Sequence, residues 1–294
     1  MNRLECLLIE NDCWKKYSGV AFEPVGIVVH STDPAGKVIS RFVQPAPNQM
    51  YGMKIDGENA TADEMLAVLG KNKYSNDWNR SGKETAVHAF IGNRADGELA
   101  VCQTLDWTMP CWGAGSGKNG SYNGCLNGKA AEPLYIQFEM IEDDSNAKDP
   151  TYCKNATDLA IELCADLMRR FPTIKLENVV SHKEAHARGC ATDHGDPESW
   201  WKRHSTGMTM AAFRGKVQDK LNDFDPQPPI YEHHPFTDVP DGKWYSEDVQ
   251  WAWENGLIDG VTPTTFKPTS PLTRAQACTL IRRFAGKFCP EGVK

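Results

Sequence analysis

The chain has 294 residues, 40% of them hydrophobic and 24% charged, enough for one large globular domain and a small one. Its net charge of −7 argues against a nucleic-acid partner, which needs a basic surface, but not against an uncharged polysaccharide. No run is long and apolar enough for membrane insertion, and the N-terminus lacks an apolar run ahead of a small-residue cleavage site. The expectation is therefore synthesis in a cytoplasm without a signal peptide.

In chain order, Gly26–Val29 is a short β-branched run, as in a buried strand, and ends at His30. Thr85–Ile91, Leu99–Leu105 and Leu134–Ile141 also read as strands. Ala156–Phe171 reads as a helix, because Leu159, Leu163, Leu167 and Phe171 recur about every four residues. Asn178–Ser181 is a last short strand, running into a long loop that starts at His182. Met210, Phe213, Val217 and Leu221 mark a second amphipathic helix. Strands mixed with helices imply an α/β fold with a mixed central sheet flanked by helices. The proline-rich stretch Asp223–His234 marks a boundary. It gives a catalytic domain over 1–224, a linker over 225–235 and a small module over 236–286. In that module one helix is expected from an N-cap at Ser246 to Gly256. A second starts at Thr273, with Gln276 completing a capping box, and ends at Gly286. Trp251, Trp253, Leu280, Ile281 and Phe284 are the expected core of this module.

The ten cysteines contain no C-x-x-C pair, so a cysteine zinc knuckle is not expected, and mostly free thiols are. His30 and His182 each end a strand, and a rigid frame of this kind suits catalytic zinc, which takes three protein ligands and leaves a fourth position open. Spacing alone does not choose the remaining ligand among His186, Cys190, Asp193, His194 and Asp196. Cys190, near His182 and His194, keeps cysteine–histidine catalysis as a rival, although nothing places it on a helix N-terminus.

Residues 1 to about 222 resemble the N-acetylmuramoyl-L-alanine amidases that share a fold with peptidoglycan-recognition proteins. The resemblance rests on ordered pieces: Val29-His30-Ser31-Thr32, Ala86-Val87-His88-Ala89-Phe90-Ile91 with Asp96-Gly97-Glu98, Ile136-Gln137-Phe138-Glu139, Ser181-His182 and His194-Gly195-Asp196-Pro197. Trp112-Gly113-Ala114-Gly115 is similar to a Trp-His-Ala-Gly motif whose histidine is Gly113 here. The resemblance implies Zn2+ held by His30, His182 and Asp196, with Glu139 as the catalytic acid–base. His194 stands where the family carries lysine, near the developing oxyanion. His88 and Trp112 are candidates for lining the substrate groove. Residues 236–286, with Phe236-Thr237-Asp238-Val239-Pro240 and Leu272-Thr273-Arg274-Ala275-Gln276, resemble an S-layer homology module. That implies a secondary cell-wall polysaccharide as partner, with Arg274 as the anion-binding residue. The implied function is hydrolysis of the bond between N-acetylmuramic acid and L-alanine in bacterial peptidoglycan, as an endolysin. The alternatives are a wall-recycling or remodelling amidase, a non-catalytic peptidoglycan-binding protein and a purely structural wall anchor.

Overall fold

The computed structural model describes residues 3–115, 135–223, 234–240 and 242–288. The chain divides into two compact units, Met1–Asp225 and Pro226–Lys294. The expected linker falls almost wholly outside the described residues, as do Cys125 and Cys289.

The first unit is built on an eight-stranded mixed sheet. Its strands are β1 (Arg3–Cys6), β2 (Gly26–Ser31), β3 (Met53–Ile55), β4 (Glu58–Asn59), β5 (Ala89–Asn93), β6 (Leu99–Gln103), β7 (Tyr135–Met140) and β8 (Val179–Ser181). The spatial order is β4-β3-β1-β6-β5-β7-β2-β8. Four neighbours, β5, β7, β2 and β8, run parallel, so their carboxyl ends share one edge. Helices cover the sheet: α1 (Asp12–Tyr17), α2 (Ala62–Leu69), α3 (Pro150–Arg170), α4 (His182–Ala187), α5 (Glu198–Arg203) and α6 (Met210–Asp223).

Alternation along β2 and β7 sorts the side chains onto two faces. Ile27 and Val29 share one face with Ile136, Phe138 and Met140, packed against α3, α5 and α6. Val28 lies on the other face with Tyr135 and Val180. His30 pairs with Glu139 in register, and Val28 with Gln137, so Gln137 and Glu139 belong to the same face as His30.

Three expectations in this unit need correction. The strand expected over 85–91 begins at Ala89, because the backbone before it bonds to loops: Thr85 O accepts from Asn11, and Ala86 N donates to Trp112 O. The long loop expected after Ser181 opens as helix α4, with Ser181 Oγ capping it by accepting Glu184 N–H at 3.0 Å. The helix read over 156–171 starts earlier, at Pro150, behind an Asp149 cap.

The second unit contains α7 (Ser246–Glu254) and α8 (Arg274–Phe288). Its core is Phe236, Val239 and Val249, with Tyr245, Trp253, Ile258 and Phe266 packed on it. Ser246 is the first helical residue rather than the cap; its hydroxyl instead ties Lys243 N to Pro240 O. The Thr273–Gln276 capping box forms, with reciprocal bonds of 2.9 and 3.2 Å. The core assignment fails for α8: no residue of that helix is buried, and Ile281 is 67% exposed. Trp251 is likewise half exposed and stacks on Phe288 instead.

Candidate metal centre

The carboxyl edge of β7, β2 and β8 carries the one cluster, among the described residues, of three side chains able to hold a metal ion: His30, His182 and Asp196. Each comes from a different local device. His30 is the fifth residue of β2, beside Glu139 on β7. His182 is the first residue of α4, fixed where β8 turns into that helix. Asp196 is held by Ser31 N–H, which donates to its Oδ2 at 3.1 Å.

The two imidazoles approach through the same atom. Their Nδ1 atoms lie 2.9 Å apart, and each is 3.5 Å from a carboxylate oxygen of Asp196. The partners of the far nitrogens assign the tautomers. His30 Nε2 lies 3.2 Å from Gln137 Oε1, and an amide oxygen only accepts, so Nε2 carries the proton. His182 Nε2 lies 3.2 Å from Thr192 Oγ1, whose own proton goes to Ala114 O, so this Nε2 also donates. With their Nε2 atoms facing acceptors, the two rings aim their Nδ1 atoms at each other beside a carboxylate. Only a cation or a shared proton satisfies that arrangement, so the donor set fits a metal.

The surrounding charges are tuned by burial. Burial pushes His30 down, but Asp196 and the charge of Glu139 outweigh it and hold it above its ordinary value. His182 is pushed down to about 4 by burial and by its neighbour His30. Asp196 resists burial through its contacts with both histidines and stays low. Glu139 is driven up to about 8, mainly by burial, and its Oε2 is buried without a hydrogen-bond partner among the described residues. Glu142, nearby, is raised to about 7 by burial; it accepts from Ser31 Oγ at 2.7 Å and pairs with Arg203 at 2.8 Å.

A cleft of about 620 Å³ opens onto the cluster; Glu139, His182 and Asp196 form its floor, and Trp112 and His194 line it. The exposed His194 stacks on His182 with ring centroids 4.7 Å apart. Trp112 packs edge-on against Tyr17 at 5.6 Å, with Lys16 over its ring. His88 is a correction: it is fully buried and forms no part of the cleft, because its ring is enclosed by Met109, Gln137 and Cys111. The other three open candidates, His186, Asp193 and Cys190, lie outside the cluster. Asp193 is 88% exposed and faces His186, and Cys190 is buried outside the cluster. None of the eight cysteines among the described residues is in a disulfide. Arg274 is exposed at the start of α8, in the second unit.

Residues 235–278 match the S-layer homology domain. No curated protein matches the sequence. The first unit has distant structural likenesses. The Staphylococcus aureus hydrolase AmiA, solved with its ligand, is 19% identical over 70% of this chain and 76% of that one, with a TM-score of 0.39. PlyL is 15% identical over 70% and 90%, with a TM-score of 0.37. A mutant endolysin from Bacillus subtilis is 17% identical over 73% and 96%, with a TM-score of 0.39. Likeness at this level does not carry a function across.

Sequence reasoning missed Gln137, Thr192, Ser31 and Glu142, which hold the cluster in place. The period-two rule applied to β7 could have found Gln137, two residues before Glu139. It also missed the cleft wall of Arg41, Phe42 and Trp78, whose only sequence signal is an aromatic–cation mixture in a loop.

Proposed function

We propose that the protein is a zinc-dependent N-acetylmuramoyl-L-alanine amidase that cuts bacterial peptidoglycan, anchored to the wall by its S-layer homology segment. One observation carries the reading: two histidine Nδ1 atoms and a carboxylate converge in an open cleft beside Glu139, whose Oε2 is buried without a hydrogen-bond partner among the described residues. Tetrahedral zinc spaces its ligand atoms about 3.3 Å apart, and separations of 2.9 and 3.5 Å bracket that value. Bound there, zinc would supply a Lewis acid that polarises a carbonyl oxygen and makes water acidic near neutral pH.

The chain's own residues would do the rest. Amide hydrolysis needs a base to take a proton from water and return it to the leaving nitrogen. Glu139, raised to about 8, binds a proton readily near neutral pH and suits the return step. The cleft is open rather than enclosed, which suits a polymer strand, and Trp112 is part of its lining. His194, exposed and stacked on His182, can donate one hydrogen bond to an oxyanion. The second unit supplies wall attachment, with the exposed Arg274 suited to an acidic sugar.

The test combines metal and base. Purified protein should hold one zinc per chain, lose stem-peptide release on chelation and regain it with zinc. Glu139→Gln should keep the zinc and lose about 10² to 10⁴-fold in initial rate. Full activity in metal-free protein overturns the zinc reading. Zinc binding and wall pelleting with no bond cleavage would favour a non-catalytic peptidoglycan binder.

A further inference from the structure

We propose that Gln137 is a positioning residue that fixes the ring and tautomer of His30, and that Gly113 is glycine because Gln137 needs the space. The inference rests on the zinc reading of the cluster. Gln137 is the middle of three same-face residues on β7, between Tyr135 and Glu139. Its backbone is locked on both sides by His88: Gln137 N donates to His88 Nδ1 at 3.0 Å, and His88 N donates to Gln137 O at 2.8 Å. The side chain is fully buried. Its Oε1 accepts the His30 Nε2 proton at 3.2 Å, while its Nε2 has no partner among the described residues.

A buried amide with one end unsatisfied is costly, and an apolar side chain of similar size would pack there without that penalty. Among the described residues, the one bond this side-chain amide makes is to His30. That bond leaves Nδ1 of His30 deprotonated and aimed at His182 and Asp196, as metal binding requires.

Gly113 stands against this amide. A Cβ at position 113 would sit 2.6 Å from Gln137 Oε1 and 2.6 Å from Val87 Cγ1. Something must shift to admit that Cβ; Val87 is packed in the core, so the expected response is for the Gln137 oxygen to move off His30. Any side chain at 113 would thus reach the metal centre through Gln137, without touching a ligand.

The experiment uses the full chain, with zinc chloride titrated against a fluorescent chelator and imidazole nitrogen NMR on the metal-free protein. In wild type, His30 should carry its proton on Nε2; a dominant Nδ1–H form overturns the proposal whatever any variant does. Gln137→Leu should release the tautomer into a mixture and weaken zinc binding by about 10 to 100-fold. Gly113→Ala should do the same with the amide still present. Gln137→Glu, which keeps an acceptor, should restore both readouts to near wild type. Unchanged zinc affinity and tautomer in folded Gln137→Leu and Gly113→Ala would overturn the proposal, as would a failure of Gln137→Glu to rescue. Should Gln137→Leu not fold, the wild-type tautomer and Gln137→Glu still decide the matter. A wild type that binds no zinc sinks the zinc reading alone, since the tautomer reads Gln137 without metal.

Discussion

His88 shows how one buried ring ties the fold to pH. Its Nε2–H donates to Met109 O at 2.9 Å, and its Nδ1 already accepts from Gln137, so adding a proton means breaking that bond inside the core. Burial accordingly pushes it from 6.5 down to about 4. A folded value below the unfolded one contributes stability that is present above pH 6.5 and is lost as pH falls through 4. The loss should reach about 3 kcal/mol. Urea unfolding between pH 7 and 4 should show a steeper decline in wild type than in His88→Gln; parallel curves would reassign the shift. At the cluster, Asp196 touches both histidines, whereas His194 only stacks on one of them. Asp196→Ala should therefore lose both zinc and activity. His194→Ala should keep zinc and lose about 10² to 10³-fold in turnover, the usual effect of removing one oxyanion donor. If His194→Ala strips the metal and Asp196→Ala does not, His194 is the ligand.

β2 is the element on which the centre depends, and its first residue has no room to spare. A Cβ on Gly26 would lie 1.8 Å from a Tyr135 ring carbon and 2.7 Å from Asn178 O, which puts it into both neighbouring segments at once. Gly26→Ala should destabilise the first unit by about 3 kcal/mol, read as a lower urea midpoint; an unchanged midpoint would mean the strand can shift. β2 and β7 were legible in the sequence because apolar residues dominate them, Gly26–Val29 in β2 and Tyr135, Ile136, Phe138 and Met140 in β7, as in buried parallel strands. β1, β3 and β4 were not: strands of four, three and two residues have too little length to show a period, and their partners define them. Helix α4 was hidden because four of its six residues are charged or histidine and it has little apolar periodicity, although Ser181-x-x-Glu184 is a capping pattern. The three converging side chains were suggested by resemblance to a family, not by spacing, since the loop offered several equivalent donors. His88 was misplaced because a histidine in an apolar strand reads alike whether it faces a cleft or a core.

At the scale of the molecule, the two units have separate cores, one built on the sheet and the other around Phe236, Val239 and Val249. Removing residues 226–294 should leave the release of soluble muropeptide fragments nearly unchanged and reduce pelleting with intact walls. Equal pelleting by both forms would show that the S-layer homology segment is not the anchor. The sheet order has a consequence for how the protein is made. β2 leaves the ribosome early, but its neighbours β7 and β8 come from residues 135–140 and 179–181. Asp196, the third member of the cluster, follows later still, and α4 is braced by Arg214, which donates to Glu184 and to Val179 O. A nascent chain thus carries His30 for most of its synthesis with nothing to complete the centre. Translation that stops short of Asp196 yields fragments lacking one of the three converging side chains, so only chains extended past that residue can complete the cluster.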